Sequence, residues 1–265
     1  MTVSLDPVLL RLGPLAVSWY GIAVGLGMVV GVWLAVRLAR PLGIPSAELD
    51  RIAIWTLAGG LVGARLLHVI DRWELYAAAP IHVIAIWNGG LAIAGAVLGG
   101  TLAGAIAAYR AGLPVRALAD AAAPGAALGQ AIGRVGCLFT GDAVGRPTTG
   151  FGVTYTQPGA MVPQLGVAYE PVFLYEMAWD LGLVAILWAL RGRLRDGRLF
   201  ALYLGVYAAG KFAITSLRAE KVWLAGLQEA QLLSVVVAIV ALLWALWPTR
   251  RAGSPGPASL RPAAG

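Results

Sequence analysis

Between residues 17 and 247 the chain is a succession of apolar runs, each about as long as a bilayer is thick. Seven can be placed, near 17–37, 52–70, 89–109, 117–139, 171–190, 199–217 and 230–247. A run of roughly 20 apolar residues is what an α-helix needs to cross about 30 Å of hydrocarbon. In lipid the backbone must satisfy its own polar groups, so a span of this length is a helix. The expected fold is an all-α integral membrane protein with about seven transmembrane helices. Composition agrees: only 12% of the residues are charged, where a soluble domain has about 25%.

The arginines orient the runs. One set of gaps, with the tail, holds Arg37, Arg40, Arg51, Arg110, Arg116, Arg191, Arg193, Arg195, Arg198, Arg250, Arg251 and Arg261. The other set holds only Arg11, Arg72, Arg146, Arg218 and Lys221. The positive-inside rule puts the richer side, and so the C-terminus, in the cytoplasm, with the N-terminus outside. An odd number of spans requires the same. Loop bias also accounts for the formal charge of +7 without nucleic acid as a partner. The opening "MTVSLDPVLLRLGPLAVSWYG" has no basic stretch and no small-residue cleavage site, so no removable signal peptide is expected. One Cys and two His leave no internal disulfide and little for a metal. The longest gap, 140–170, falls outside the cytoplasm; its "FGVTYTQPGAMVPQLGVAYEP" is expected to fold as a small cap. Residues 1–249 thus read as a single membrane domain with 140–170 as its extracytoplasmic cap. Residues 250–265, rich in Pro, Gly, Ala and Ser, read as a disordered cytoplasmic tail. Glycine pairs at Gly21/Gly25, Gly27/Gly31, Gly59/Gly63, Gly95/Gly99 and Gly129/Gly133 have the spacing that lets helix backbones approach closely in lipid.

Three cations remain inside the runs: Arg65, Arg134 and Lys211. The acids Asp120, Glu176 and Asp180 are inside as well. A mid-bilayer charge costs at least ~2.5 kcal/mol on the most lenient scale, so each calls for a partner, water or an anionic ligand. Arg65 has a purely structural reading, pairing with Asp120 or Glu176 to tie helices together. Arg134 lies in "GQAIGRVGCLFTGDAVGRPT", one turn from the outer end of its run, with small and polar residues after it. Lys211 falls near mid-span, and Arg218, seven residues on, shares its helix face. Together the three form a graded basic track toward the outer leaflet. An arginine fork suits phosphate, and the abundant anions of a membrane are phospholipid headgroups. Arg134 is therefore expected to hold a lipid phosphate.

These residues sit in a longer pattern. "LDPVLLRLGPLAVSWYGI", "GGLVGARLLHVI", "WNGGLAIAGAVLGG", "IGRVGCLFTGDAVGRPT", "EPVFLYE", "DGRLFALYLGVYAAGKFAITSLR" and "AQLLS" follow one another along roughly residues 5–245. In this order they resemble the phosphatidylglycerol–prolipoprotein diacylglyceryl transferase family, the "GRVGC" stretch being similar to its Gly-Arg-x-Gly-Asn signature. The resemblance implies a multi-pass enzyme of the bacterial plasma (inner) membrane. It implies transfer of a diacylglyceryl group from phosphatidylglycerol to the lipobox cysteine of a preprolipoprotein. The products are a thioether and glycerol-1-phosphate, with no cofactor, metal or nucleotide. The partners are then phosphatidylglycerol, the preprolipoprotein signal peptide and membrane lipid. Since the thiol belongs to the substrate, such an enzyme needs no nucleophile of its own. It must hold the departing phosphate and help deprotonate the thiol.

By this resemblance Arg134 binds the headgroup, and Gly145 and Arg146 match the end of the signature. Tyr20 matches the tyrosine of a Trp-Tyr-Gly start, and Lys211 and Arg218 match two arginines of the sixth span. The implied substrate-binding set is Arg134, Gly145, Arg146 and Arg218; the implied catalytic set is Tyr20, Asp142 and Lys211. Tyr175 and Glu176 match as well. Five positions depart from the pattern. Ala94 stands where the family has a histidine, which removes a histidine base at that point; His68 and His82 lie elsewhere. Cys137 stands for the signature Asn, Asp142 for a Glu, Lys211 for an Arg, and Glu170 for the His before Pro. Cys137 reads as a buried small hydrophobe rather than a nucleophile. Two other classes stay open on the residues alone: a lipid-binding inactive paralogue or scaffold, and a small-solute transporter.

Overall fold

The computed structural model describes residues 1–12, 15–77, 80–85, 90–218 and 222–247. The tail expected at 250–265, and Lys221, lie outside the described residues. A long helix falls on each of the seven apolar runs: α1 (Trp19–Ala39), α2 (Ser46–Asp71), α4 (Ile93–Arg110), α5 (Val115–Thr140), α6 (Val172–Leu190), α7 (Arg198–Thr215) and α8 (Glu229–Leu246). A short α3 (Trp73–Ala77) follows α2. By length and composition five of the long helices are apolar enough to cross a membrane: α1, α2, α4, α6 and α8. The helices α5 and α7, which carry Arg134 and Lys211, are not among them. Large apolar side chains such as Val29, Ile54, Ile70, Leu102 and Leu242 point outward, as they do when the solvent is lipid. This is a multi-pass membrane protein.

Helix ends follow local chemistry. Ser18 caps α1, its Oγ accepting from the Gly21 N–H at 3.0 Å, which satisfies one of the donors a helix start leaves over. The start of α2 lies well before the expected 52, because its first turns are built from Ser46, Glu48, Asp50 and Arg51, which no hydropathy count includes. Gly141, at φ 71°, turns the chain off the end of α5 in the left-handed conformation that glycine adopts without strain. Gln228 and Gln231 form a reciprocal capping box at the start of α8.

The helices pack as two bodies. One is the pair α2 and α4. The other is α1 laid along α5, with α6 and α7 on α5 and α8 on α7; the two bodies meet over much shorter stretches. Facing glycines build both close contacts. A Cβ on Gly27 or Gly31 would run into the Gly129 or Gly125 carbonyl, and one on Gly63 or Gly99 into the Gly95 or Gly59 carbonyl. Gly125 was not part of the expected pattern, and Gly25 of that pattern meets open space.

The all-α expectation needs a correction. Strands β1 (Thr2–Val3), β4 (Val153–Tyr155) and β5 (Ala168–Tyr169) form a small sheet, β1 parallel and β5 antiparallel to β4. The residues ahead of α1 thus belong to the same folded cap as 140–170. Two hairpins add β2 (Val8–Leu12) with β3 (Leu15–Ser18), and β6 (Val222–Leu224) with β7 (Leu227–Gln228). These segments flank the spans, where extended backbone can pair outside the hydrocarbon.

Candidate active site

Three helices bring charge together at one point. Glu176, on α6 and 3% exposed, has a cation on each carboxylate oxygen. Arg134 Nη1 of α5 lies 2.8 Å from Oε2, and Lys211 Nζ of α7 donates to Oε1 at 2.6 Å. They border a cavity of about 10 Å³, room for a single water, whose other walls are Trp179, Asp180, Tyr207 and Ile214. Trp179 packs against Gly210, where a Cβ would run into its indole, and donates to the Val206 carbonyl at 3.1 Å. The Trp179 side chain is itself partly exposed at the surface. The site thus lies just behind an aromatic side chain at the lipid-facing surface.

The cap supplies the rim. The turn at Gly141 sets Asp142 just beyond α5. Its Oδ1 accepts from Thr140 Oγ1 at 2.8 Å, and its carbonyl accepts from Arg218 Nη2 at 2.9 Å. Tyr20 packs on Gly136, where a Cβ would stand 2.8 Å from the Tyr20 Cα, and its phenol faces Asp142, Cys137 and Arg134. Cys137 is 2% exposed within an apolar cluster with Val3, Val153, Tyr155 and Phe173, yet its thiol also faces Asp142 and Arg134. It is buried, as expected, but not in purely apolar company. In the cap, Tyr155 donates to the Leu138 carbonyl at 3.0 Å; burial, then Asp142, pushes its phenol above the ordinary range, so it stays a donor.

Of the expected residues, Arg134, Lys211, Asp142, Tyr20 and Arg218 are brought together. Gly145 and Arg146 are not part of the charged cluster. Gly145 is buried where Glu170, Val172 and the Leu217 carbonyl converge, and its N–H donates to the Glu170 carbonyl at 2.8 Å. It lets the cap close on the ends of α6 and α7. Arg146 is exposed, its carbonyl accepting from the Glu170 N–H.

Arg65 also differs from expectation. It does not pair with Asp120 or Glu176. Its guanidinium donates to the carbonyls of Val83 at 2.7 Å and Gly90 at 2.9 Å, and to those of His82 and Ala85, while lying over the Tyr76 ring. The structural reading holds, with a loop in place of an acid. Asp120 in turn accepts from the Gly197 and Phe200 N–H groups at 2.8 and 2.9 Å, capping the start of α7, where unpaired amides favour an anion.

Sequence reasoning did not connect Asp180, Trp179 and Tyr207 with the site. The available signal was spacing: Glu176 with Asp180, and Tyr207 with Lys211 and Ile214, recur at helix-face intervals.

Residues 7–247 match the family model described as prolipoprotein diacylglyceryl transferase. The chain belongs to this family. A relative from Symbiobacterium thermophilum, named phosphatidylglycerol–prolipoprotein diacylglyceryl transferase, is 38% identical over 95% of this chain and 96% of its own. Relatives of the same name from Halalkalibacterium halodurans (39% identical, 95% of this chain, 89% of theirs) and Nostoc sp. (38%, 92% and 89%) agree. The match to the diacylglyceryl transferase family runs through both helical bodies and strands β4 and β5.

Proposed function

We propose that this protein performs the reaction for which its relatives are named. It moves the diacylglyceryl group of phosphatidylglycerol to the lipobox cysteine thiol of preprolipoproteins and releases glycerol-1-phosphate, the first step of lipoprotein maturation. The observation that carries this reading is Glu176 held on both oxygens by Arg134 and Lys211 in a chain of this family. One side-chain carboxylate keeps two cations in place, and an incoming phosphate offers them the same chemistry.

The thiolate sulfur attacks the glyceryl carbon that bears the phosphate. The S–C bond forms, the C–O bond breaks, and the electron pair leaves on the phosphate oxygen. Arg134 and Lys211 meet the charge that develops there, in a site drier than water, where fixed cations act most strongly. Lys211 supplies a point charge where the family pattern has a fork. Arg218, held at Asp142, extends the positive rim. Tyr20 and Asp142 line the approach beside Arg134. With Ala94 in place of a histidine, deprotonation of the thiol falls to another group. In this reading α5 and α7 complete seven spans, with the N-terminus and cap outside a bacterial inner membrane and the C-terminus in the cytoplasm.

The test is direct. Purified protein, phosphatidylglycerol and a lipobox peptide should yield a peptide heavier by one diacylglyceryl group, with glycerol phosphate released, by mass spectrometry. No mass gain while lipid still binds would identify a lipid-binding relative without the chemistry.

A further inference from the structure

Asp180 is the carboxylate at the site that the ion pairs leave over. It is 3% exposed, lines the same cavity as Arg134 and Lys211, and has no hydrogen bond or ion pair among the described residues. Glu176 has both oxygens engaged. The charged and titratable groups facing Asp180 are Arg134 from α5, Glu176 on its own helix, and Tyr203, Tyr207 and Lys211 from α7.

We infer that Asp180 is the catalytic residue that takes the proton from the substrate thiol. The inference rests on the reading that Arg134 and Lys211 hold the lipid phosphate. Its first support is position. Displacement at carbon proceeds in line, so the thiol approaches opposite the leaving phosphate oxygen. The cap rim, with Arg218 on the Asp142 carbonyl, marks the outer side of the site. Asp180 is one helical turn further along α6 than Glu176, about 6 Å deeper at 1.5 Å per residue. The glyceryl carbon also lies deeper than its phosphate, toward the acyl chains, so the base belongs on the Asp180 side.

The second support is charge balance. Arg134, Lys211 and Arg218 face Glu176, Asp180 and Asp142, three cations against three carboxylates. A phosphodiester adds one negative charge. Transfer of the thiol proton to the carboxylate without a direct partner moves one negative charge from Asp180 to sulfur and adds none, so the site carries the same net charge before and after the thiol ionises. The sulfur then forms its bond to carbon, the phosphate leaves with the C–O electron pair, and Asp180 returns its proton to solvent as the products leave. No other reactant is required.

Phosphatidylglycerol vesicles and two lipobox peptides test this, one with cysteine and one with selenocysteine, whose selenol ionises unaided at neutral pH. Asp180→Asn should keep lipid binding and lower kcat on the cysteine peptide by about 10²- to 10⁴-fold, the usual worth of a positioned base. The selenocysteine peptide should recover most of that loss, and raising the pH through the thiol's own ionisation near about 8.5 should recover part of it. A wild-type rate in Asp180→Asn, or an equal loss on both peptides, overturns the assignment. If the asparagine variant does not fold, Asp180→Glu decides. Activity with a displaced acid limb of the kcat–pH profile supports the role, and a profile that superimposes on wild type removes it. Lipid binding by Arg134→Ala is read separately: undiminished binding there sinks the headgroup reading, whatever Asp180 does.

Discussion

At its Val115 end, α5 directs its charges at backbone; toward its Thr140 end, it directs them at side chains. Arg116 donates to the Asp196, Trp244 and Trp247 carbonyls, and Asp120 accepts from the first amides of α7. These partners are fixed dipoles of helix ends, built into the fold, and no ligand can take their place. Arg134 instead faces the carboxylate of Glu176, which also carries Lys211. A side-chain counter-ion can rotate away when another anion arrives. Arg65, clamped on the carbonyls of Val83 and Gly90, is of the first kind although it lies on a different helix. Charge inside a membrane protein thus marks a ligand site when its partner is exchangeable, and an architectural tie when its partner is backbone.

The largest test of the contrast is Arg134→Ala. Loss of a donor aimed at developing charge costs about 10²- to 10³-fold in kcat. Here the lipid anchor goes as well, so phosphatidylglycerol turnover should fall below detection with the fold intact. Arg134→Lys should restore little, because the fork is lost. An alanine variant with wild-type turnover would erase the distinction between the two ends of α5.

Glu176→Gln sharpens the comparison from the anion's side. The amide no longer competes with phosphate, so lipid binding should hold or tighten. Arg134 and Lys211 lose the carboxylate that orients them, and misplacement of this kind costs about 10²-fold in kcat. Vesicle binding and turnover, measured on one preparation, separate the two effects. Weakened binding with unchanged kcat would make Glu176 an architectural tie after all.

Asp120→Asn probes the other end. It removes the charge and one of the two acceptors at the start of α7, worth about 1–3 kcal/mol for a buried amide left unpaired. Thermal unfolding in detergent should shift downward while the folded fraction keeps its kcat. A loss of kcat without loss of stability would place Asp120 in the chemistry.

The seven long helices were legible in the sequence because backbone satisfaction in lipid is local: run length alone places α1 or α8 within a few residues. Arg134 and Lys211 stood out for the same reason, as charges where none is cheap. What they face was not legible. Which of Glu176 and a backbone carbonyl meets Arg134 or Arg65 depends on how helices far apart in sequence lie together. The cap sheet was hidden for a related cause. Its N-terminal strand is two residues long, and the Met1 amine reaches the Gly152 carbonyl across 151 positions. Asp180 was visible as an intramembrane acid, but its place at the cavity follows only from the packing of α6 on α5 and α7.

The smallest expected effect lies at Cys137, which belongs to both kinds of surroundings. Its side chain packs in the cluster of Val3, Tyr155 and Phe173, while its thiol faces Asp142 and Arg134. The reaction proposed here needs no enzyme sulfur, since the nucleophile arrives on the substrate. Cys137→Ser swaps the thiol for a hydroxyl of similar size that donates and accepts hydrogen bonds, so Asp142 and Arg134 keep a polar neighbour. Turnover should stay within about threefold of wild type, a shift under 1 kcal/mol at 1.4 kcal/mol per tenfold. Mass spectrometry of the wild-type protein during turnover should find no diacylglyceryl adduct on Cys137. An adduct there, or abolished turnover in a well-folded serine variant, would move the nucleophile from the substrate to the enzyme and turn the polar side of this residue into part of the chemistry.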